Sequence, residues 1–374
     1  MNQKTSKTLT VTILSLSLLT VMAGAAVAPA LNVIKEYFVD VNQTLVQMII
    51  SIPALFIALT SFVFPKLSQK FKAKELVMAG LLLYVVGGCA AGLFSNIYLV
   101  LVFRALVGIG VGIIMPLSTG LLSFYFAPEE QDKLMGYSSA MNQMGGVVAT
   151  LISGWLAGFS WRASFLVYLM GLISIVLCLI FLPNDKIGGR SSEKGQGAFK
   201  EYYLFIVAIF ILMFTFFVYP SVFAIETAKE GIIPQSLIAV IMAGMDFIAF
   251  LGGLAFVHIK KAIGDMTKYV APAMFLAGYL LLFLVGGWIG AIVGSIFIGF
   301  ANGLGIPFII SCASMKAGKS AATTVMPFIS MAMYFAQFVT PMILSVVGFV
   351  SPYAVASVTA VLFIIWSSQI RKEK

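Results

Sequence analysis

The sequence is poor in the residue types that carry most catalytic and metal chemistry. Its 374 residues include three cysteines and one histidine, and only 10% are Asp, Glu, Lys or Arg. Cys89, Cys178 and Cys312 lie in apolar stretches without metal-like spacing, which argues against metal binding and disulfides. There is no HExxH or GxSxG motif, and "AGKS" at 317–320 has Ala313 where a nucleotide-binding loop needs glycine. We therefore expect no enzyme activity, no ATP hydrolysis and no bound metal or cofactor.

The chain is rich in apolar residues. They make up 61% of the sequence, and the mean hydropathy is +1.05, far above the values of soluble domains. Apolar runs of about 20 residues, each able to cross roughly 30 Å of hydrocarbon, recur along the chain. They predict an all-α membrane protein with twelve transmembrane segments: 8–31, 44–64, 75–95, 97–122, 134–159, 162–182, 201–224, 236–258, 268–287, 288–314, 320–345 and 348–369.

The net charge of +9 reflects membrane orientation, because the basic residues are unevenly distributed. If both termini are cytoplasmic, all but four of the 23 Lys and Arg residues lie on the inner side. Lys35, Arg162 and Lys229 lie outside, and Arg104 lies within a segment. This bias follows the positive-inside rule, so it predicts a multi-pass protein of the cell membrane and gives no support to nucleic-acid binding.

The first 30 residues have the basic end, apolar middle and small residues of a secretory signal. The apolar stretch is longer than a typical signal, and the internal repeat needs this segment as a partner. We therefore expect it to remain as the first helix.

The chain contains an internal repeat with an offset of 191 residues. Glycine and proline pairs that match at this offset carry more weight than matches between common apolar residues. The glycine and proline pairs are 29/220, 108/299, 112/303 and 116/307, and further identical pairs are 34/225, 70/261, 123/314 and 139/330. A segment rich in Gly, Ser and charge separates the halves and is typical of a flexible linker. The predicted organisation is a six-helix bundle at 1–183, a cytoplasmic linker at 184–200 and a second six-helix bundle at 201–374.

Over nearly its full length the chain resembles the major facilitator superfamily. The stretch "LVFRALVGIGVGIIMP", which begins at Leu101, is similar to the arginine-plus-glycine motif of the fourth helix in that family. "GWLAGFSWRASFLVYL", from Gly154, resembles the stretch joining its fifth and sixth helices. The resemblance implies a transporter of small molecules with the major facilitator fold, acting by alternating access as a monomer.

Two further motifs of the family are incomplete in this chain. In "PKLSQKFKAKELV" the Gly-x-x-x-Asp-Arg-x-Gly-Arg-Lys pattern has lost its first glycine and its aspartate, which are Pro65 and Gln69 here. The Gly-x-x-x-Gly-Pro-x-x-Gly-Gly pattern of proton-driven drug exporters aligns best from Gly145 but lacks its central Gly-Pro. The overall pattern is closest to the twelve-helix drug and sugar efflux branch.

Polar side chains within the segments separate helices that line a cavity from helices that face lipid. Segments three, six, nine and twelve have no charged residue, Asn or Gln in their apolar cores. Polar side chains in hydrocarbon normally face a bundle interior or a wet cavity. The remaining segments, together with aromatic and Met-rich stretches such as "MAMYFAQF" at 331–338, supply the candidate substrate-binding residues: Asn32, Gln47, Arg104, Asn142, Gln143, Tyr219, Asn302, Tyr334 and Gln337.

Arg104 and Asp246 are the two charged residues placed deep in the predicted helices. Arg104 keeps its charge, so it needs an acceptor such as a carboxylate, carbonyl groups, water or an anionic substrate. It is either an anion ligand, a proton-coupling switch as the resemblance implies, or a structural residue that bonds the backbone of neighbouring helices. Asp246 is the leading proton-coupling candidate, with attraction of a cationic substrate as its second role and a stabilising ion pair or hydrogen bond as the structural alternative.

Charges near the membrane surfaces predict two sets of gating residues. At the outer side the repeat aligns Lys35 with Glu226, and opposite charges there could pair when the outer mouth closes. At the inner side Lys70 and Lys261 are equivalent in the repeat and could meet Glu129, Glu130 or Asp132. Solvated loop charges are the alternative in both cases.

The sequence therefore predicts a secondary active transporter for a small or amphipathic organic molecule, with proton-coupled efflux favoured. Proton-linked uptake, or facilitated passage, of a small organic anion held partly by Arg104 is the alternative within transport. A membrane sensor that has kept the fold without transport is the alternative of another class.

Overall fold

The computed structural model describes residues 3–186 and 198–370; side chains are described in these ranges except at 3–6, 128, 129, 132, 133, 198–201, 314, 315 and 317–327. The α-helices are α1 (Gln3–Ala25), α2 (Leu31–Tyr37), α3 (Gln43–Lys70), α4 (Ala73–Ala91), α5 (Ile97–Tyr125), α6 (Pro128–Ala157), α7 (Trp161–Ser164), α8 (Gly171–Phe181), α9 (Ala198–Glu230), α10 (Gln235–Ile263), α11 (Thr267–Leu280), α12 (Gly287–Val346) and α13 (Pro352–Ser368). Three 3₁₀ turns, Ala28–Ala30, Phe165–Met170 and Gly264–Met266, and a π-helical turn, Leu281–Val285, connect some of them.

All twelve predicted segments fall mainly on helix. Nine helical stretches in the described ranges are long and apolar enough to cross a membrane. One of these, Gln235–Val285, contains both the eighth and the ninth predicted segments. The fifth segment lies on α6 and the twelfth on the shorter apolar helix α13.

The predicted break between the tenth and eleventh segments is absent from the backbone, which is helical throughout α12. This helix has 60 residues and carries two separate membrane spans, Gly287–Ala313 and Phe328–Val346. The residues between the spans include alanines and lysines, which favour helix, but also Gly318 and Pro327, which disfavour it. Two lysines were sufficient to predict a loop there, but they do not end a helix.

The first and sixth segments are less regular than predicted. Pro29 has no backbone N–H, and the chain changes from α1 to a 3₁₀ turn and then to α2 around it. The sixth segment is built from α7, a 3₁₀ turn and α8.

The chain divides into two compact units, Met1–Ser191 and Ser192–Lys374. The predicted linker, 184–200, lies largely outside the described residues, and its boundaries remain a prediction. Within the first unit α5 packs on α3 and α4, and within the second unit α12 packs on α9, α10 and α11.

Repeat-related glycines make equivalent close contacts in each unit. A Cβ atom added to Gly108 would lie 2.4 Å from the carbonyl oxygen of Pro53, and one added to Gly299 would lie 2.3 Å from that of Met245. Glycine therefore allows α5 to touch the backbone of α3, and α12 that of α10, as expected of small residues at helix crossings in membranes. The two units share one pattern of helix packing.

Candidate functional site

Arg104 lies on α5 in the first unit and is fully buried. Its Nε donates a hydrogen bond to the carbonyl oxygen of Ile49 at 2.7 Å. Its terminal nitrogens donate to the carbonyl oxygen of Ala23 and to the hydroxyl of Tyr168. The guanidinium therefore connects α1, α3 and the sixth segment to α5 through neutral oxygens. These contacts are the ones expected if Arg104 is a structural residue that bonds the backbone of neighbouring helices.

The bend of the first segment makes the Ala23 carbonyl available to Arg104. Carbonyl groups in the last turn of a helix lack the backbone donors of the next turn, and Ala23 lies in the last turn of α1. Tyr168 also donates to this oxygen, at 2.9 Å. Its ring occupies the space beside Gly88, where an added Cβ would lie 2.1 Å from the ring.

Tyr84 on α4 also belongs to the cluster around Arg104. Tyr84 is fully buried, and its ring meets that of Tyr168 edge to face at 5.2 Å. Within the described residues its hydroxyl makes no hydrogen bond. A buried hydroxyl without a partner is costly in an apolar bundle.

In the second unit a different tyrosine bonds to the backbone of the proline-containing helix, α9. Pro220, the repeat partner of Pro29, cannot donate to the carbonyl of Phe216 one turn earlier. The hydroxyl of Tyr279 lies 3.4 Å from that carbonyl and also donates to the carbonyl of Thr215. Tyr279 is the repeat partner of Gly88 and comes from the third segment of this half. In the first half the tyrosine that bonds to the backbone of the first segment, Tyr168, comes from the sixth segment.

Tyr219 and Ser295 form a second buried pair in this unit. The Tyr219 hydroxyl and the Ser295 hydroxyl are 2.6 Å apart, and the Tyr219 ring stacks on Phe223. Ser295 is the repeat partner of Arg104, so a neutral hydroxyl replaces the cation. Asp246 lies close enough to Tyr219 to interact with it electrostatically.

Asp246 is half-buried on α10, beside the point where α10 crosses α12. The neighbouring residues Met245 and Ala249 contact Gly299 and Gly303; a Cβ added to Gly303 would lie 1.9 Å from the Ala249 carbonyl oxygen. Asn302, next to Gly303, is 8% exposed, and its Oδ1 accepts no hydrogen bond from the described residues. The α10–α12 crossing therefore carries a carboxylate and an unsatisfied amide oxygen.

The other predicted substrate-binding residues are spread over both units. Asn142 accepts a hydrogen bond from the Thr20 hydroxyl, which joins α6 to α1. Gln143 is half-buried beside it, and Gln47 on α3 is buried. In the second unit Gln337 is buried and Tyr334 half-buried on α12. The structure thus places Asn142 in a helix contact and leaves the roles of the others as predictions.

Several charged and amide side chains near the helix ends form hydrogen bonds or ion pairs within their own unit. Asn32 donates to Glu36 at 2.8 Å, one turn along α2. The Lys35 amine donates to the carbonyl of Val41 at 2.7 Å. Glu226 forms an ion pair with Lys229, also at 2.7 Å.

Lys70 and Lys261 are exposed, and neither amine bonds to a residue in the described part of the chain. Of their three suggested partners, Glu130 is exposed, and Glu129 and Asp132 lie outside the residues whose side chains are described. Both predicted gates therefore remain predictions.

The sequence predicts roles for Tyr219 and Tyr334 but none for Tyr168 and Tyr279. These two lie in the segments assigned to the lipid side because the segments lack charge, Asn and Gln. That criterion leaves out their phenol hydroxyls, although a buried tyrosine normally finds a hydrogen-bond partner. The alignment of Gly88 with Tyr279 in the repeat was the sequence signal that could have drawn attention to Tyr279. No cluster of three or more His, Cys, Asp or Glu able to hold a metal occurs among the residues searched, those with described positions.

Residues 13–341 match the family model of the Major Facilitator Superfamily. The chain belongs to this superfamily. Members of the superfamily carry small-molecule substrates across membranes, and this chain has the membrane-length apolar helices of a multi-pass membrane protein. The resemblance of the arginine-plus-glycine helix is thereby confirmed at the level of the superfamily.

Several relatives have names that refer to drug resistance. The chain is 31% identical over 121 residues to the multidrug resistance protein B homolog of Mycobacterium tuberculosis, covering 32% of this chain and 22% of that protein. It is 22% identical over 271 residues to multidrug resistance protein 2 of Bacillus subtilis, covering 67% of each. An uncharacterized transporter of Schizosaccharomyces pombe is 27% identical over 183 residues, covering 47% of this chain and 37% of that protein. The chain thus spans well under two thirds of the mycobacterial and yeast relatives.

Solved structures show the same fold. The structure of a D-xylose-proton symporter superimposes with a TM-score of 0.73, covers 98% of both chains and is 14% identical. At this identity the likeness establishes the major facilitator fold alone.

Proposed function

We propose that this transporter is a proton-coupled exporter of small or amphipathic organic molecules. It works by alternating access as a monomer in the cell membrane, with both termini in the cytoplasm. The multidrug resistance proteins among its relatives support export of varied substrates. The distribution of Lys and Arg supports the orientation.

The observation that carries the proposal is the half-buried carboxylate of Asp246 on an apolar helix. Burial disfavours the charged form of a carboxylate, so such a group can bind and release a proton during a transport cycle. A proton and a cationic substrate compete for one carboxylate, which gives exchange of one for the other. Intramembrane carboxylates commonly serve this purpose.

The chemistry around Asp246 favours a cationic substrate, or one rich in hydrogen-bond donors. The Asp246 carboxylate accepts hydrogen bonds, and Asn302 offers an acceptor oxygen with no partner among the described residues. A ligand with an ammonium group would satisfy both.

The alternative within transport, uptake or facilitated passage of an organic anion, depends on Arg104. All three nitrogens of Arg104 already donate to protein oxygens, and its side chain is fully buried. An anion would have to displace these bonds. A sensor without transport would bind a ligand and give no flux.

The test measures flux of labelled organic cations, neutral lipophiles and organic anions in proteoliposomes with an imposed pH gradient. Asp246→Asn should abolish gradient-driven flux of cations while exchange in the absence of a gradient continues. Asp265→Asn, which changes an exposed carboxylate near the end of α10, is the matched control and should transport like the unmodified chain.

Gradient-driven flux that survives in Asp246→Asn would contradict the assignment of Asp246. Anion flux that is lost in Arg104→Ala, with no cation flux in any variant, would favour the uptake alternative. Ligand binding without flux of any compound would favour the sensor.

A further inference from the structure

In each unit the end of the first segment meets the starts of the fourth and sixth segments, and we call this place the corner of the unit. In the first unit it is formed by Tyr37, the last residue of α2, by Ser95, just before α5, and by Arg162 on α7. Nη2 of Arg162 donates to the Ser95 hydroxyl at 2.7 Å and to the Tyr37 hydroxyl at 3.1 Å. The Tyr37 hydroxyl donates to that of Ser95 at 3.1 Å, which closes a triangle of hydrogen bonds between three segments.

Aromatic rings also hold the guanidinium of Arg162. Its Cζ lies 4.6 Å from the centre of the Trp161 ring and 4.9 Å from that of Tyr37. Such contacts attract a cation through the face of the ring. Arg162 forms no ion pair with a carboxylate in the part of the chain that the structure describes. It therefore joins the corner of the first unit through neutral hydroxyls and rings.

The corner of the second unit is joined by a carboxylate. Glu230 is the last residue of α9, and its Oε2 accepts a hydrogen bond from the backbone N–H of Gly287 at 3.0 Å. Gly287 is the first residue of α12. Tyr353, at the start of α13, lies close enough to Glu230 to interact with it electrostatically. Glu230 thus lies where the corresponding three segments of this unit meet.

The start of α12 needs an acceptor from outside its own helix. The first N–H groups of a helix have no acceptor within it. Gly286 and Gly287 have φ angles of +58° and +54°, and they follow the π-helical turn Leu281–Val285. Glycine adopts such angles readily and is therefore easily displaced from them. The bond from Glu230 fixes the position of Gly287.

The two corners are equivalent in the repeat, although their residues differ. The offset of 191 aligns Ser95 with Gly286 and Arg162 with Tyr353. The first unit makes its connection with a cation and hydroxyls, and the second makes it with a carboxylate and a backbone N–H. Different chemistry at equivalent places indicates that the connection matters to the fold more than any one residue pair.

The fourth segment, which starts at the corner, carries buried polar residues of its unit. Arg104 follows Asn96, the N-cap of α5, by eight residues, and its repeat partner Ser295 follows Gly287 by eight. Eight residues of helix span about 12 Å. Asn302, at the crossing of α10 and α12, lies about two turns beyond Ser295. A helix is stiff over these lengths, so a shift of its start also moves these side chains.

We propose that Glu230 and Arg162 are positioning residues, each fixing the start of the fourth segment of its own unit against the first and sixth segments. In the second unit this contact sets the place of Asn302, so Glu230 acts on the candidate site at Asp246 through α12. In the first unit Arg162 does the same for Arg104. The effect on the Asp246 site rests on the proposed function, whereas the joining of the corners does not.

The first experiment measures amide hydrogen exchange of the full-length protein in micelles, on peptides from the starts of α5 and α12. Glu230→Ala should speed exchange at the start of α12 about fivefold or more, because a hydrogen bond to a charged acceptor is lost, and should leave α5 unchanged. Arg162→Ala should affect α5 and leave α12 unchanged. The control is Glu36→Ala, which removes an exposed carboxylate that bonds within α2, and it should change neither peptide.

Glu230→Gln separates the hydrogen bond from the charge. Its side chain has the same length and keeps an acceptor oxygen, so it should restore the slow exchange that Glu230→Ala loses. In proteoliposomes Glu230→Ala should raise the KM for cations about fivefold or more while the maximal rate stays within about twofold, since the polar groups of α12 are displaced from Asp246. Glu230→Gln should bring the KM back. A general loss of stability would not give this pattern.

Unchanged exchange at the start of α12 in Glu230→Ala, or equally faster exchange in both units, would overturn the proposal. Glu230→Gln that exchanges like Glu230→Ala would assign the effect to charge and would also overturn it. Glu230→Asp, whose carboxylate is one methylene shorter, repeats the comparison if Glu230→Ala does not fold. A normal KM despite faster exchange would overturn the effect on the Asp246 site. If the unmodified chain moves no cation while the exchange results hold, the proposed function fails and the joining of the corners stands.

Discussion

Arg104 is a permanent cation surrounded by neutral oxygen atoms. Three helical segments other than its own provide those atoms, two of them as backbone carbonyls. A carbonyl at the end of α1 or in the interior of α3 cannot move independently of its helix. The arginine therefore fixes the spacing of these helices, whatever part it plays in proton movement.

Arg104→Met should lower the free energy of unfolding by about 3 kcal/mol or more, because hydrogen bonds to a charged donor are lost and the Ala23 carbonyl loses one of its two donors. Reversible unfolding in mixed micelles would measure this change. Tyr168→Phe removes only the hydroxyl and should cost about 1 kcal/mol. If Arg104→Met melts like the unmodified chain but loses proton coupling, Arg104 is a coupling residue and not a structural one.

The partners of Arg104 illustrate what the sequence could not provide. The charge at position 104 and the hydrophobic run around it are enough to predict a buried arginine that needs acceptors. Ile49 and Ala23 accept these bonds through backbone carbonyls. Every residue type has a backbone carbonyl, so the sequence does not indicate these two positions. Tyr168 lies 64 residues further along the chain, and only the fold brings it to the arginine.

At the scale of helices, glycine sets how closely neighbouring elements approach. The crossing of α10 and α12 depends on Gly299 and Gly303, whose repeat partners Gly108 and Gly112 contact α3 in the first unit. Asp246 and Asn302 both lie at this crossing. The distance between the two helices therefore also determines the geometry of the candidate proton site.

Gly303→Ala should destabilise the protein by about 1–3 kcal/mol, because the new methyl group would overlap the Ala249 carbonyl and force α10 away from α12. Gly244→Ala is the control on α10, since nothing lies within 4 Å of its added Cβ. It should be neutral or stabilise the helix by up to about 1 kcal/mol. Thermal melting of the two variants side by side measures the difference, and equal melting temperatures would contradict the predicted overlap.

Helix positions were largely predictable and helix irregularities were not. Apolar runs of membrane length identify the segments because lipid leaves the backbone few alternatives to helix. The continuous α12, in contrast, was not predictable, because Gly318 and Pro327 between its two spans disfavour helix and the backbone is helical there nonetheless. The π-helical turn at Leu281–Val285 ends at Gly286 and Gly287, both with positive φ. The "GG" pair predicts that a helix ends there, but it does not predict the π-helical turn that precedes it.

For the whole molecule, the distribution of basic residues makes a prediction about orientation. In the proposed orientation the end at Lys374 is cytoplasmic, so green fluorescent protein fused after Lys374 should fluoresce. The same orientation puts the turn that joins α9 to α10 outside, so alkaline phosphatase fused after Ile232 should be active. An active phosphatase at Lys374 together with an inactive one at Ile232 would contradict the proposed orientation.

The exchange of Gly88 and Tyr168 for Tyr279 and Thr359 in the second half has a consequence for redesign of the chain. In each half one tyrosine bonds to the backbone of the proline-containing helix, and the repeat partner of the other half's tyrosine is a smaller residue. Single swaps between the halves are therefore incompatible: tyrosine at position 88 would collide with Tyr168. A half redesigned with residues of the other must exchange both positions together, so that glycine stays with Tyr168 and Thr359 stays with Tyr279.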